Sequence, residues 1–494
     1  MRDQLFHLRR EAGSSIQVQI REMLVSAILS GQMPGGDPLP SSRKMAKILK
    51  VSRNTVVLAY QGLADDGYLI SKERSGFYVD EDILAGRLIP SDGTKEKTEE
   101  PATADAPDWE GRFRLRPSQG RRVNRPVDWM DYPYPFIFGQ VDHTLFPLAA
   151  WRDCNRQALG SKELEAWTRD AYGADYPMLI EQIRTRLLPR RGIRADNDQI
   201  LITMGAQNAL YMLASLLVSE TTTVALEEPG YPDARNIFSL KTRHLKPIAV
   251  DEHGLPVDDR LDGCDLVYVT PSHQYPTTAT MPLERRQALL KRAAEKDFLI
   301  IEDDYEPEAS YVAEPTPALK SLDDNGRVIY MGSMSKSLFP GLRIGYLVAS
   351  KTFIDEVRAL RYLMMRHSPT NNQRTTALFL SQGHHDSLVH RLHRAYRARW
   401  ERMNEALSRH LPRSSKAPSI GGTSFWVEGP DGLDAERLAK TADGRGLIIE
   451  PGRINFLEAD APSNFFRLGF SSIPTERIDP GIELLAQLIE EQVG

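Results

Sequence analysis

Apolar positions recur at helical spacing through residues 41–63, where the text SSRKMAKILKVSRNTVVLAYQGL carries two short amphipathic stretches. Ser41 and Ser42 are suited to cap the first, whose apolar face is Met45, Ala46, Ile48 and Leu49. Val51 closes a short turn, Ser52 is the next cap, and the second stretch offers Val56, Val57, Tyr60 and Leu63 for burial. Residues 14–79 as a whole read as helical and end in a hairpin, KERSGFYVD, with its tip at Ser75–Gly76. A different pattern follows much later. The runs ILIT (200–203), TVAL (223–226), LVYVT (266–270), FLIIED (298–303), VIYMG (328–332) and IGYLVA (344–349) have strand length. Several are separated by helical patterns such as NALYMLASLLV and PLERRQALLKRAAEK, and this alternation predicts a doubly wound, mostly parallel α/β sheet. From about Leu392 the chain returns to a helix, then to the short strands SFWVE, GLIIEP and FFRLGFS and a last helix, a smaller α+β lobe.

Between these regions Gly86–Asn124 has no sustained apolar period and is dominated by Pro, Gly, Ser, Thr and charge blocks, so it reads as a linker. Flexible chain of about fifty residues has a root-mean-square reach of ~40 Å. The expected divisions are 1–80 for an N-terminal head, 81–130 for a flexible linker and 131–494 for a body, its large sheet domain spanning about 165–390. At ~150 residues per domain, 494 residues hold roughly three domains' worth of structure. A hydrophobic share of 41% beside 26% charged residues excludes wholesale disorder.

The net charge of −5 conceals a segmented distribution: +4 over residues 1–79, −7 over 80–110, +6 over 111–125 and −8 over the remainder. Only the head is then suited to meet a polyanion. The six arginines Arg112, Arg114, Arg116, Arg121, Arg122 and Arg125 fit a solvated tether at least as well as a docking contact. Two cysteines, Cys154 and Cys264, are too few for a disulfide framework or a multi-cysteine metal site, so a reducing, cytoplasmic setting is expected. No run approaches the ~18 apolar residues of a membrane span, and the N-terminus lacks a signal-peptide apolar core. No metal and no membrane partner are expected.

A second helix that opens on Arg53, Asn54 and Thr55 presents donors suited to base edges and phosphates, the arrangement by which helix-turn-helix proteins read double-stranded DNA. The stretches IQVQI, LPSSR, VSRNTV, AYQGL and DGYL, in that order over residues 14–79, resemble the winged helix-turn-helix of the GntR family. That resemblance implies DNA contact by Arg43, Ser52, Arg53, Asn54, Thr55 and the wing tip at Gly76. The wing is shortened, with SGFYV in place of a longer Gly-Ser-rich tip.

In open α/β sheets, ligands sit beyond the carboxyl ends of the strands. There this chain places MGAQNAL, EEPGYPDAR, PSHQYPTT, EDDYEPE and GSMSKSLFPGLRIGY, each after one strand. A lysine among hydroxyls, a carboxylate at a strand end and an arginine suit an aldehyde cofactor that bears a phosphate and a pyridine nitrogen. In this order the pieces resemble the fold-type I aminotransferases, and head plus body resemble the MocR/GabR-type transcription regulators. The resemblance implies pyridoxal 5′-phosphate joined to Lys336 as an imine, Asp303 at the pyridine nitrogen, Tyr305 at the ring hydroxyl and Tyr231 stacked on the ring. Gly205, Ala206, Gln207, Ser333, Ser335 and Arg343 would hold the phosphate. Arg467 would grip an effector carboxylate, with Arg235 as a second anion contact.

Where aminotransferases carry Asn-Pro-x-Gly, this chain has Tyr275–Pro276–Thr277–Thr278, which leaves His273 or Gln274 to replace the missing asparagine and puts full transamination in doubt. Two functions stay open. One is a regulator in which a small amine or amino-acid effector displaces Lys336 from the cofactor, forming an external aldimine; family likeness adds a head-to-tail homodimer and an operator of repeated half-sites. The other is a working aminotransferase that carries a DNA-binding head.

Overall fold

Three serines start the three helices of the head. In the computed structural model, which describes Phe6, Leu8 and residues 14–85, 107–160, 173–312, 316–416, 421–458 and 460–493, the chain divides into two units, Met1–Trp109 and Glu110–Gly494. Helices α1 (Ile16–Leu29), α2 (Ser42–Leu49) and α3 (Arg53–Asp65) begin at Ser15, Ser41 and Ser52, whose hydroxyls accept the N–H of Val18, Lys44 and Thr55. Each cap satisfies a donor that the first helical turn leaves unpaired. Met45, Ala46 and Leu49 of α2 pack against Val56, Ala59, Tyr60 and Leu63 of α3 in the core of the head. Ile48 and Val57 are only half-buried, and Ala59 takes the place expected for Val57. The reason is angular: Val57 lies about 100° round the helix from Val56. Strands β1 (Leu69–Lys72) and β2 (Gly76–Val79) pair antiparallel as the wing, turning over residues 73–75, slightly before the expected tip.

The body is built on seven strands: β3 (Ile200–Thr203), β4 (Val224–Glu228), β5 (Leu245–Ala249), β6 (Leu266–Val269), β7 (Leu299–Asp304), β8 (Val328–Ser333) and β9 (Gly345–Val348). Their order is β3-β9-β8-β7-β6-β4-β5. All six strands predicted for the sheet are present, and β5, whose half-buried Lys246 and Pro247 blur its apolar run, is the addition. The sheet is mixed: β9 runs antiparallel to both β3 and β8, whereas β8, β7, β6, β4 and β5 pair parallel. The central strands β6, β8 and β9 are buried throughout, as strands covered on both faces must be. Helices α4 (Ala206–Leu217) and α5 (Pro232–Ser239) follow β3 and β4. The smaller lobe pairs β10 (Ser424–Glu428) with β12 (Phe465–Gly469), and β12 with β11 (Glu450–Pro451), all antiparallel.

Part of the expected linker, residues 86–106, lies outside the described residues, as do 161–172. The stretch 110–130 does not behave as a tether. Arg121 Nη2 donates to the carbonyl of Phe456 at 2.7 Å, Asn236 donates to the carbonyl of Arg121 at 2.8 Å, and Arg125 Nε meets Glu450 Oε1 at 2.9 Å. Carbonyl and carboxylate partners on the body turn this arginine-rich segment into a strap laid along it. Among the described residues no helix is long and apolar enough to cross a membrane, and no cluster of His, Cys, Asp and Glu could hold a metal ion.

Candidate cofactor and effector site

The carboxyl ends of β3, β4, β6, β7 and β8 bring their loops to one region, where a cavity of about 790 Å³ opens. Lys336, Tyr231, Tyr275, Phe138 and Gln207 line it on the body side. The opposite rim belongs to the strap, with Arg116, Arg122 and Arg125.

Lys336 follows β8 by three residues, and its Nζ lies 4.3 Å from the centroid of the Phe138 ring. Burial pulls its pKa down to about 8; Glu306 opposes that shift, while Arg125 and Arg467 add to it. A lysine poised there supplies the neutral amine that imine formation needs. Gly139, at φ +78°, leaves the space that the amine occupies, since a Cβ on it would collide with Lys336 Nζ.

Asp303 is the penultimate residue of β7 and is buried. Tyr268 donates to its Oδ2 at 2.7 Å, and its Oδ1 has no partner among the described residues. Burial pushes its carboxyl up to about 7. Beside it Glu227 is also pushed up to about 7 by burial, although Thr270 Oγ1 donates to it at 2.5 Å. The adjacent Asp304 behaves oppositely. Despite burial, Arg191 at 2.7 Å and Tyr330 at 2.8 Å hold it below the usual carboxylate range. One strand end thus carries a carboxylate paired with an arginine and one with no cation bonded to it, and the Oδ1 of each has no partner among the described residues. Tyr305 and Tyr275 meet edge to face, as do Tyr231 and Tyr275, and together with Phe138 they form an aromatic wall.

Gly205, at φ +83°, caps the start of α4. A Cβ there would come within 3.0 Å of Arg343 Nη2, which donates to the carbonyl of Met204 at 2.9 Å. Ala206 and Gln207 open the helix, and Ser333 Oγ accepts the Ser335 N–H at 3.2 Å. Backbone N–H groups at a helix start, two hydroxyls and a guanidinium suit a phosphate. An unspent buried acceptor, a lysine with a depressed pKa and an anion cradle fit a phosphorylated pyridine aldehyde.

Four residues have partners or places that the sequence does not show. Arg235 is a strut: its Nη1 and Nη2 donate to the carbonyls of Phe456 and Ile454 at 2.7 and 3.0 Å, and it does not line the cavity. Arg467 is held within the body as well. It is 2% exposed, donates to Glu450 Oε2 from Nε and Nη2 at 3.0 and 2.6 Å, and reaches the Tyr275 hydroxyl at 2.7 Å. Gln274 spends its amide on Glu227 and on the carbonyls of Pro229 and Tyr275, so it does not replace the absent asparagine. His273 is buried without a partner on either ring nitrogen among the described residues, burial pulls its pKa down to about 4, and it too is absent from the cavity wall. Tyr275 itself stands at the cavity.

In the head, Arg43, Ser52, Arg53, Asn54 and Gly76 are exposed and Thr55 is half-buried. The Ser52 and Thr55 hydroxyls bond each other at 2.7 Å, and Arg53 Nε reaches Ser42 Oγ at 3.3 Å.

Residues 16–79 match bacterial regulatory proteins of the gntR family, and residues 142–485 match aminotransferase class I and II. The HTH-type transcriptional regulator TauR of Rhodobacter capsulatus is 43% identical over 487 residues, 98% of either chain. The probable rhizopine catabolism regulatory protein MocR of Rhizobium meliloti is 31% identical over 97% of this chain and 94% of that one. This chain belongs to the MocR/TauR-type transcriptional regulators. Its body also resembles Pyrococcus horikoshii kynurenine aminotransferase, with a TM-score of 0.70 at 26% identity over 78% of this chain and 99% of that one. A MocR/TauR-type regulator binds DNA through its gntR head, and its aminotransferase body implies pyridoxal 5′-phosphate as cofactor.

Sequence reasoning missed Phe138, Gly139, Tyr268 and Glu450 as parts of the site. Glu450 had a signal, a lone acid ending GLIIEP, but its partner became visible only through the register that sets it opposite Arg467.

Proposed function

We propose that this regulator senses a small amine or amino acid through the cofactor held at Lys336. The observation that carries the reading is Lys336 itself, on the wall of a cavity large enough for cofactor and ligand, with its pKa brought down to about 8 by burial. The cofactor, when bound, supplies an aldehyde carbon that a lysine or a competing amine can occupy. Lys336 would hold that position in the absence of an effector, and its side chain would carry a proton once an effector amine had displaced it. Asp303, oriented by Tyr268, would pair with the pyridine nitrogen; Tyr231 and Tyr305 would hold the ring; Gly205, Ala206, Gln207, Ser333, Ser335 and Arg343 would hold the phosphate. Arg43, Ser52, Arg53, Asn54, Thr55 and Gly76 form the DNA-contacting set of a head that ends near residue 80, and the body begins with the strap, near residue 110.

The chain acts as a head-to-tail homodimer in the cytoplasm on an operator of repeated half-sites. Exposed Leu363, Met364 and Tyr211, the last two on the cavity wall, support cover by a second copy. An effector switches such a molecule only by favouring one arrangement, with roughly 10⁴-fold differential affinity for a full switch.

The test measures binding of the cofactor-loaded protein to its own upstream DNA and to random duplex, across a salt series, with and without candidate amines. Salt-dependent preference for the upstream DNA that shifts with an amine, and fails to shift in Lys336→Ala, is the expected result. No preference at any salt concentration defeats the reading. The near-complete site favours a second reading, aminotransferase turnover, which steady-state transfer from an amino donor to a keto acceptor would establish. Tyr275–Pro276–Thr277–Thr278 in place of Asn-Pro-x-Gly weighs against it.

A further inference from the structure

The strand end that carries Asp303 runs on into a turn with two more acids, Glu306 and Glu308. Their surroundings differ. Glu308 lies 3.7 Å from His385 Nε2, which also meets Ser337 Oγ at 3.2 Å. Glu306 is 2% exposed, and its Oε1 accepts the hydroxyl of Thr423, just ahead of β10, at 2.6 Å. Its Oε2 is buried without a partner among the described residues. Leaving a buried carboxylate oxygen unpaired is costly, which calls for a donor that reaches it in some state of the protein.

Lys336 is suited to be that donor. Tyr305, next to Glu306, meets the Phe138 ring edge to face, and Lys336 Nζ lies 4.3 Å from the centroid of that same ring. Glu306 is the foremost charge that keeps Lys336 protonated against burial. In return, Lys336 is the foremost charge favouring the ionised form of Glu306, whose carboxyl burial raises. The other charges nearby have partners of their own. Arg467 of β12 also favours the ionised Glu306, but it is bonded to Glu450 and Tyr275. Arg125 of the strap acts against the Lys336 ammonium and Glu450 of β11 acts for it, and these two are bonded to each other. Asp303 has Tyr268 as its donor, and burial keeps the phenols of Tyr305, Tyr311 and Tyr396 neutral.

Exchange of amines at the cofactor leaves one ammonium over. An effector amine arrives protonated and must shed that proton to compete for the aldehyde carbon; Lys336, once displaced, would take one up. The cation thus passes from one nitrogen to the other, and a buried ammonium needs an anion beside it. We propose that Glu306 is the counter-ion of the released Lys336: Thr423 fixes one carboxylate oxygen and the other receives the ammonium. The ion pair favours the effector-bound state, and it loads a bond that ties the end of β7 to the start of β10 in the smaller lobe. This inference rests on the reading that amines exchange at Lys336.

The experiment uses the full-length protein in two forms. Without cofactor, it is labelled with acetic anhydride between about pH 6 and 10, and the Lys336 peptide is quantified by mass spectrometry. The wild-type midpoint is expected at about 8. Glu306→Gln is expected to lower it by about one pH unit or more, the effect of removing an opposite charge at close range. Glu306→Asp, which keeps the charge but withdraws it by one methylene, is expected to fall between the two and serves alone if Glu306→Gln does not fold. With cofactor, the visible band is followed while methylamine is added. The half-saturating concentration is expected to rise about tenfold in Glu306→Gln, with the band itself retained. A midpoint that stays put or rises in a folded variant, or an unchanged methylamine concentration, overturns the proposal and leaves exchange at Lys336 standing. Methylamine that leaves the wild-type band untouched defeats exchange and this role with it; the labelling midpoint, read without cofactor or amine, distinguishes that failure from the absence of an ion pair.

Discussion

Replacing Asp303 by asparagine is expected to stabilise the cofactor-free protein above pH 7 while weakening cofactor binding. The carboxyl is 4% exposed, and burial raises its pKa from an ordinary 3.8 to about 7. In the unfolded chain the same group ionises near ~3.9. Between those values the folded protein therefore binds a proton that the unfolded chain has released, so folding stability falls as pH rises through this window. Three pH units correspond to ~4 kcal/mol, and relaxation around a buried carboxylate reduces this to ~2–4 kcal/mol. Asparagine keeps the acceptor for Tyr268, which donates to Oδ2 at 2.7 Å, and never ionises. The assay is urea unfolding of both cofactor-free proteins at pH 5, 6, 7 and 8. The stability difference, variant minus wild type, should grow from pH 5 to pH 7 in favour of the variant and level off by pH 8. Addition of pyridoxal 5′-phosphate should reverse the order, because a pyridinium partner pairs with aspartate and not with asparagine. A difference independent of pH, or a wild type that is the more stable cofactor-free protein at pH 8, would refute the reasoning.

Reconstitution of the cofactor-free protein should quicken with pH and level off above pH 8, since burial brings Lys336 down to about 8 and the neutral amine is the nucleophile. A stopped-flow absorbance rate that climbs tenfold per pH unit beyond pH 9 would point to an ordinary lysine. Gly139→Ala should weaken the covalent cofactor band, because its Cβ would displace Lys336 Nζ and alanine is strained at φ +78°; an intact band would show that the lysine approaches from elsewhere. Arg53→Ala should weaken DNA binding and reduce the slope of log affinity against log salt by about one, read by fluorescence anisotropy. Ser52→Ala should cost the head about 1 kcal/mol through the lost cap at Thr55, seen as a lower unfolding midpoint of the head.

Local pattern alone determined the head, the strands of the body and the chemistry waiting beyond their ends. Capping serines, apolar periodicity and strand-length runs act over a few residues, so the text of the chain displays them directly. Lys336, Asp303, Tyr231 and Arg343 were legible for the same reason: each follows a recognisable strand, and an open sheet offers its carboxyl ends to ligands. The half-buried Val57 and the strand β5 show the limit, where single positions depend on what packs against them.

Tertiary structure decided which charges are free. Arg467 and Arg235 look like anion receptors in the sequence, but one is compensated by a carboxylate seventeen residues away and the other by carbonyls more than two hundred residues on. Arg125 looks like part of a solvated run, yet a carboxylate 325 residues distant places it on the cavity wall. Spacing along the chain states which ionisable groups exist. Whether each is spent or available depends on strand register and on the path of the strap, and those arise only when the whole body closes around its sheet.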